Sequence, residues 1–143
     1  MLDTARLYDV VQTSWTTQDW DGWRATCAPG YRFEPGLGPT RDVEQTMVWN
    51  RAFFTAFPDY VEEVRRVHAG RDSVVAELVG EGTSSGAFDL GDGNPLPATG
   101  RPFRLTYAKV LELDAGGLVV HDRQYVDLLG LLTQLGLLGG PPA

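Results

Sequence analysis

Side chains able to do acid–base chemistry are concentrated near the C-terminus, in residues 119–127. This stretch alternates in polarity and then enters a leucine-rich segment at residues 128–138, which predicts a strand followed by a closing helix. One face of the strand carries His121, Arg123, Tyr125 and Asp127. The other face carries Val120, Asp122, Gln124 and Val126. Only one face of a strand can line a cavity, and we interpret the first as the pocket face because it contains the aromatic residue.

Asp127 has two interpretations at the junction between strand and helix. In an apolar pocket, loss of hydration raises the pKa of a carboxylate, which can then take a proton from a methylene group between two carbonyls. Aspartate is also a favoured helix N-cap, and the residues alone favour this role. The other polar residues of that face have structural alternatives too: a surface position for His121, an ion pair with Glu34 or Asp59 for Arg123, and a core position for Tyr125.

A second polar position stands out in a predicted helix at residues 41–56. At helical spacing, one arc contains Val43, Met47, Asn50, Phe54 and Phe57, flanked by Trp49 and Phe53. Asn50 is therefore an amide at the centre of an apolar arc. A buried amide without partners costs about 1–3 kcal/mol, so Asn50 either bonds the neighbouring backbone or contacts a ligand in a pocket.

The order of the elements predicts an α+β fold. We predict an amphipathic helix at residues 3–18, with Asp3 as its N-cap, and a short second helix that begins at Asp19. A short strand is predicted at 31–36, followed by the third helix with Thr40 as its cap. We interpret Trp20 and Trp23 as packing between helices and sheet. Four extended runs follow at 60–70, 73–88, 101–114 and 118–127. Short connections make them antiparallel neighbours, so the prediction is a curved antiparallel sheet with helices on its concave face, a short C-terminal helix and a cone-shaped cavity.

Composition limits the classes of partner. The chain has 143 residues, which fits one domain spanning residues 1–143, and a formal net charge of -7. An acidic protein lacks the basic field that nucleic acid or an anionic membrane surface requires. The single cysteine, Cys27, cannot form an internal disulfide, which suits the cytoplasm. No signal peptide or membrane span is indicated. A small molecule or another protein is the expected partner.

Several segments together resemble the SnoaL-like polyketide cyclases, which have the cystatin-like cone fold of the nuclear transport factor two superfamily. These are the FPD turn at residues 57–59, the GTSSG corner at 82–86, the TGR entry to a strand at 99–101 and the DLLGLLTQLG ending at 127–136. The order and spacing of these segments extend over nearly the whole chain. No single segment is diagnostic.

The resemblance implies a cyclase that needs no cofactor or metal and acts on a polyketide-type substrate. In such enzymes an aspartate at the end of the last long strand is the general acid/base of an intramolecular aldol closure, and Asp127 holds that place here. The family match thereby reverses the preference for a capping role. Many members have a histidine in the GT-x-x-G corner, where this chain has Ser84 and Ser85. The connection at residues 89–100 is also longer than usual and long enough to be a flap.

Ten residues are predicted to contact the substrate: Trp15, Asn50, Phe33, Trp49, Phe53, Phe54, Tyr107, His121, Arg123 and Tyr125. Two other functions stay open. Epoxide hydrolysis or epoxide-opening cyclisation needs a second acid near Arg123 and Asp127, for which Glu34 and Asp59 are the candidates. A non-catalytic small-molecule-binding module is the other. The resemblance also predicts a homodimer formed through the outer face of the sheet.

Overall fold

The computed structural model describes residues 1–138. Its helices are α1 (Thr4–Thr16), α2 (Trp20–Arg24), α3 (Val43–Ala56) and α4 (Leu128–Leu135). Its strands are β1 (Cys27–Glu34), β2 (Val61–Ala69), β3 (Ser73–Thr83), β4 (Pro102–Leu113) and β5 (Val119–Val126). Helices precede the long strands, as the sequence predicts, and the α+β class is confirmed.

One curved sheet of five strands has the order β1-β5-β4-β3-β2. The four strands from β2 to β5 pair antiparallel, as expected. Strand β1 joins parallel to β5, with Phe33 opposite Asp122. This parallel pair joins a strand from the first quarter of the chain to the last strand, so side chains of β1 become neighbours of β5.

Aspartates begin the helices, and one predicted cap is wrong. The carboxylates of Asp3 and Asp19 accept hydrogen bonds from backbone N–H groups in the first turns of α1 and α2. Helix α3 is capped by Asp42 rather than Thr40. Asp42 and Gln45 form a reciprocal capping box, with N···O distances of 2.8 and 3.0 Å. A glutamine three residues after an aspartate makes this start more stable than the threonine two residues earlier.

Strand β1 and the segment before it also differ from the prediction. Helix α2 ends at Arg24, so β1 begins at Cys27, four residues before the predicted start at Tyr31, and includes the Pro29–Gly30 pair. Trp23 is buried and meets the ring of Tyr31 edge-on, at 5.6 Å between centroids. This contact fixes α2 against the concave face of the sheet.

The hydrophobic core lies between the helices and the concave face, in two clusters. One cluster joins α1 and α3 to the middle of the sheet around Met47, Leu78 and Leu111. The other joins the end of α3 to Phe103 and to Leu135 of α4, which is 1% exposed. Helix α4 therefore closes one end of the cone. Within residues 1–138 no helix has the length and apolarity to cross a bilayer. The homodimer and the cytoplasmic location stay predictions.

Candidate functional site

A cavity of about 70 Å³ lies between the helices and the concave face of the sheet. Six of the ten predicted substrate-contacting residues line it: Trp15, Phe33, Trp49, Asn50, Phe53 and Tyr107. Phe54 does not. It packs behind the lining against Trp15, with 4.8 Å between ring centroids, because it faces α1 and α2 rather than the sheet. The wall is mostly apolar and rich in aromatic rings, and its few polar groups therefore stand out.

The predicted pocket face of β5 is wrong, because Asp122, Gln124 and Val126 are the residues that line the cavity. Tyr125 is 61% exposed on the outer face. Val126 belongs to the inward set, and its apolar side chain suits the concave face better than the hydroxyl-bearing Tyr125 does. A bulge at the start of β5 also buries Val119, which simple alternation would place on the outer face, so the period-two signal of this strand is weak.

On the outer face the polar residues pair with one another. His121 Nε2 lies 3.1 Å from Glu34 Oε1. Arg123 Nη1 lies 3.2 Å from Glu112 Oε2, on the neighbouring strand β4. Arg123 therefore pairs with neither Glu34 nor Asp59, and these contacts form a charged cluster outside the cavity.

Asp127 is exposed and caps α4. Its Oδ1 accepts a hydrogen bond from the backbone N–H of Gly130 at 2.9 Å. Among residues 1–138, those that line the cavity do not include Asp127. The capping alternative is thus what the structure shows for Asp127, and the carboxylate that reaches the cavity from the same strand is Asp122.

Asp122 is 4% exposed, although it is ionisable. Its Oδ2 accepts a hydrogen bond from the Tyr31 hydroxyl at 3.3 Å, and Lys109 Nζ lies 3.9 Å from the same oxygen. Oδ1 is buried with no hydrogen-bond partner among the described residues. Burial raises the pKa of Asp122, while the charge of Lys109 and the bond from Tyr31 oppose the rise. Asp122 is therefore a stronger base than an ordinary aspartate, with one oxygen free to accept a proton.

Lys109 is the only lysine of the chain and is 5% exposed. Its ammonium lies 3.9 Å from Asp122 Oδ2 and 5.8 Å from the centre of the Trp15 ring. The sequence-based prediction missed it. Alternation along β4 places Lys109 on the same face as Phe103, Tyr107 and Leu111, all buried, and this pattern was the available signal.

Asn50 is 2% exposed and has one half of its amide satisfied. Its Oδ1 accepts a hydrogen bond from Trp15 Nε1 at 3.0 Å. Its Nδ2 is buried and has no partner among the described residues. Because a buried donor without a partner is costly, this N–H pair is a candidate contact for a ligand oxygen. A substrate-binding role for Asn50 stays a prediction.

Two tyrosines of the wall have their hydroxyls engaged elsewhere. Tyr60 donates to Glu62 Oε2 at 2.8 Å, and Tyr107 donates to the same oxygen. Gln12 Nε2 donates to the other oxygen of Glu62 at 2.7 Å, and Gln12 accepts from Tyr8 through its own amide oxygen. Burial, followed by the charge of Glu62, raises the pKa of Tyr60 well above its usual value. Tyr60 and Tyr107 therefore present their rings to the cavity and stay neutral.

The loop at residues 89–100 covers the cavity. Leu90 and Leu96 line it from above, and Phe88 and Leu96 exchange two backbone hydrogen bonds of 2.9 and 2.8 Å. Arg41 donates to the carbonyl of Leu90 at 2.8 Å, and its guanidinium lies 4.4 Å from the centre of the Trp49 ring. Near the far end of the loop, the Ser84 hydroxyl accepts from the Thr99 N–H at 3.1 Å. The loop is a flap fastened at both ends.

Comparisons with known proteins agree with this geometry. The SnoaL-like polyketide cyclase family model matches residues 5–135. A candidate SnoaL-like polyketide cyclase from Jannaschia has a TM-score of 0.81 and 25% identity over 97% of this chain and 93% of its own. IdmH, a candidate polyketide cyclase from Streptomyces antibioticus, has a TM-score of 0.77 and 23% identity over 94% and 99%.

AclR, a candidate hydroxylase from Streptomyces galilaeus, has a TM-score of 0.78 and 21% identity over 98% of this chain and 89% of its own. No curated protein matches the chain significantly. The fold and its cavity define an α+β cone of the NTF2-like class. The chain belongs to the SnoaL-like polyketide cyclase family.

Proposed function

We propose that this protein is a ring-forming enzyme of polyketide biosynthesis, which closes a ring by an intramolecular aldol-type reaction without a cofactor. The observation that carries the proposal is the buried carboxylate of Asp122, which has a free oxygen in an aromatic cavity. Family membership supports a cyclase-type activity. The acid/base role that the resemblance gives to Asp127 passes to Asp122, since Asp127 is an exposed helix cap.

The reaction follows from the chemistry of this site. Oδ1 of Asp122 takes a proton from a methylene group between two carbonyls, and the electron pair of the C–H bond forms an enolate. The enolate carbon then attacks a carbonyl of the same molecule, forming a C–C bond and an alkoxide. Protonated Asp122 returns its proton to the alkoxide, so product and substrate are isomers. The cavity contributes by holding the flexible chain folded, a proximity effect of several kcal/mol.

The size of the cavity implies that the flap moves during binding. Ligand sites usually enclose roughly 300–1,000 Å³, whereas this cavity measures about 70 Å³. A polyketide of several carbonyl units needs more room. Leu90 and Leu96 belong to the flap and contribute wall surface, so displacing residues 89–100 enlarges the cavity without disturbing the sheet.

Epoxide opening is the weaker candidate, because it needs a second carboxylate beside the first. Glu34 pairs with His121 outside the cavity. Asp59 accepts hydrogen bonds from the backbone N–H and hydroxyl of Thr83, at 2.9 and 2.6 Å, and is exposed. Among the described residues of the cavity wall, Asp122 is the single carboxylate. The geometry therefore favours aldol closure.

Mass spectrometry of the product tests the proposed function. The purified protein is incubated with a linear aryl poly-β-keto methyl ester, with a chelator present and no added cofactor. We expect a cyclic product with the same mass as the substrate, because aldol closure only rearranges atoms. In parallel, an aryl epoxide reports hydrolysis through the gain of one water. Conversion of the epoxide to its diol without ring closure of the keto ester would contradict the proposal in favour of hydrolysis, and binding without any product would favour a non-catalytic module.

A further inference from the structure

We infer that Lys109 and Asn50 together form the binding site for the enolate oxygen, so that Lys109 is a second catalytic residue and the substrate enters as a neutral carbonyl compound. This inference rests on the proposed function, because it concerns the intermediate that Asp122 would create. It also assigns the substrate class, a neutral ketone or ester with an ionisable carbon, rather than a free carboxylic acid.

The charges of the cavity wall balance before the reaction and favour Lys109 as the partner of the enolate. Lys109 and Asp122 are each about 6% exposed at their side chains and are the charged residues of the described cavity wall. Their opposite charges cancel, because an uncompensated charge in the interior is strongly destabilising. When Asp122 accepts a proton, its negative charge passes to the substrate oxygen, and Lys109 remains to pair with it. A substrate that already carried a carboxylate would add an uncompensated charge to this cavity.

Lys109 and Asn50 both have donor groups that form no hydrogen bond with the described residues. Lys109 Nζ is 3.9 Å from Asp122 Oδ2, which is longer than a hydrogen bond. Asn50 Nδ2 has no partner within residues 1–138. Trp15 lies near both groups: its indole N–H donates to Asn50 Oδ1 at 3.0 Å, and the centre of its ring lies 5.8 Å from Lys109 Nζ. Trp15 thus fixes the amide so that Nδ2, rather than Oδ1, is left for a ligand.

Donors fixed in the same cavity as the base are what a developing oxyanion requires. Such groups stabilise negative charge strongly when water is excluded and their orientation is set in advance. The wall here is largely apolar, and the hydrogen bond from Trp15 sets the orientation of the Asn50 amide. Lys109 supplies a full positive charge that a backbone N–H cannot.

The test uses 4-nitrophenol, whose phenolate imitates an enolate and absorbs visible light differently from the neutral phenol. Asp122→Asn imitates the protonated aspartate. We compare this variant with a double variant that also carries Lys109→Met. The single variant should bind the phenolate at least about tenfold more tightly, because it keeps the positive charge of Lys109 near the phenolate oxygen. Arg104→Met in the Asp122→Asn background is the matched control, since Arg104 is an exposed cation on the same strand. It should leave phenolate affinity unchanged.

A second readout does not depend on the double variant folding. Lys109 is the only lysine, so a protein labelled with ¹³C at the lysine ε-carbon gives one side-chain signal in NMR. That signal should shift when Asp122→Asn binds 4-nitrophenolate. A lysine signal that does not move, absence of phenolate binding, or equal affinity with and without Lys109 would overturn the inference. None of these results depends on turnover, so the acid/base role of Asp122 would stand or fall separately.

Discussion

Asp122→Asn should lower the rate of ring closure by about 10²–10⁴-fold, the usual contribution of a general acid/base group. Asparagine keeps the size of the side chain and can still accept from Tyr31, but it cannot take a proton from carbon. Because burial raises the pKa of Asp122, the wild-type carboxylate is matched to this task better than a solvated aspartate. Initial rates of cyclisation, with circular dichroism to verify folding, measure the effect.

Asp127→Asn is the matched control for that experiment. It makes the same chemical change on the same chain segment, and asparagine is as good an N-cap as aspartate. We expect the rate of ring closure to stay within about twofold of wild type, because Asp127 does not line the cavity. The free energy of unfolding should change by no more than about 0.5 kcal/mol, as for other surface substitutions. Loss of activity in Asp127→Asn with activity retained in Asp122→Asn would return the catalytic role to Asp127.

Gly38→Ala should loosen the flap and lower the free energy of unfolding by about 1–3 kcal/mol, the cost of one strained backbone position. Gly38 has φ +74°, and a Cβ atom there would collide with the backbone carbonyl oxygen of Leu90. That oxygen is also the acceptor for Arg41. The collision cannot be relieved by rotating a side chain, so the loop must move. Urea denaturation measures the stability. The increase in acrylamide quenching over the wild type, summed over the four tryptophans with Trp49 beneath the loop among them, measures the opening of the flap.

Gly93→Ala separates the collision from the strain of a positive φ. Gly93 has φ +77°, but an added Cβ would meet no atom within 4 Å. The free energy of unfolding of this variant should fall only by the cost of the positive φ, about 1 kcal/mol. Acrylamide quenching should stay as in the wild type. Equal quenching in both alanine variants would show that contact between Gly38 and Leu90 does not hold the flap closed.

Local signals in the sequence were sufficient for much of the fold. Asp3 and Asp19 begin helices because their carboxylates reach N–H groups three residues ahead. Asn50 was recognisable because helical spacing puts it among large apolar residues. The parallel pairing of β1 with β5 was not predictable in this way, because it joins distant parts of the chain, such as Tyr31 and Asp122, which are 91 positions apart.

The central acid was missed for a related reason. The charged side chains of Asp122 and Lys109 predict exposure, since an isolated charge avoids the interior, and for Lys109 only the alternation of its neighbours along β4 indicates otherwise. Their burial depends on each other and on Tyr31, three residues from three strands that meet only in the folded chain. Asp127 was preferred because the family resemblance places the acid at the end of the last long strand, yet that same place makes it a helix cap.

Hydrogen exchange into the substrate tests the central claim most directly, because it measures proton removal before any ring forms. Ethyl benzoylacetate, a neutral aryl β-keto ester, is incubated in D₂O, and proton NMR follows loss of the methylene signal. The wild type and Asp127→Asn should accelerate the loss equally, whereas Asp122→Asn should leave it at the rate of buffer alone. Exchange by Asp122→Asn at the wild-type rate would contradict the account.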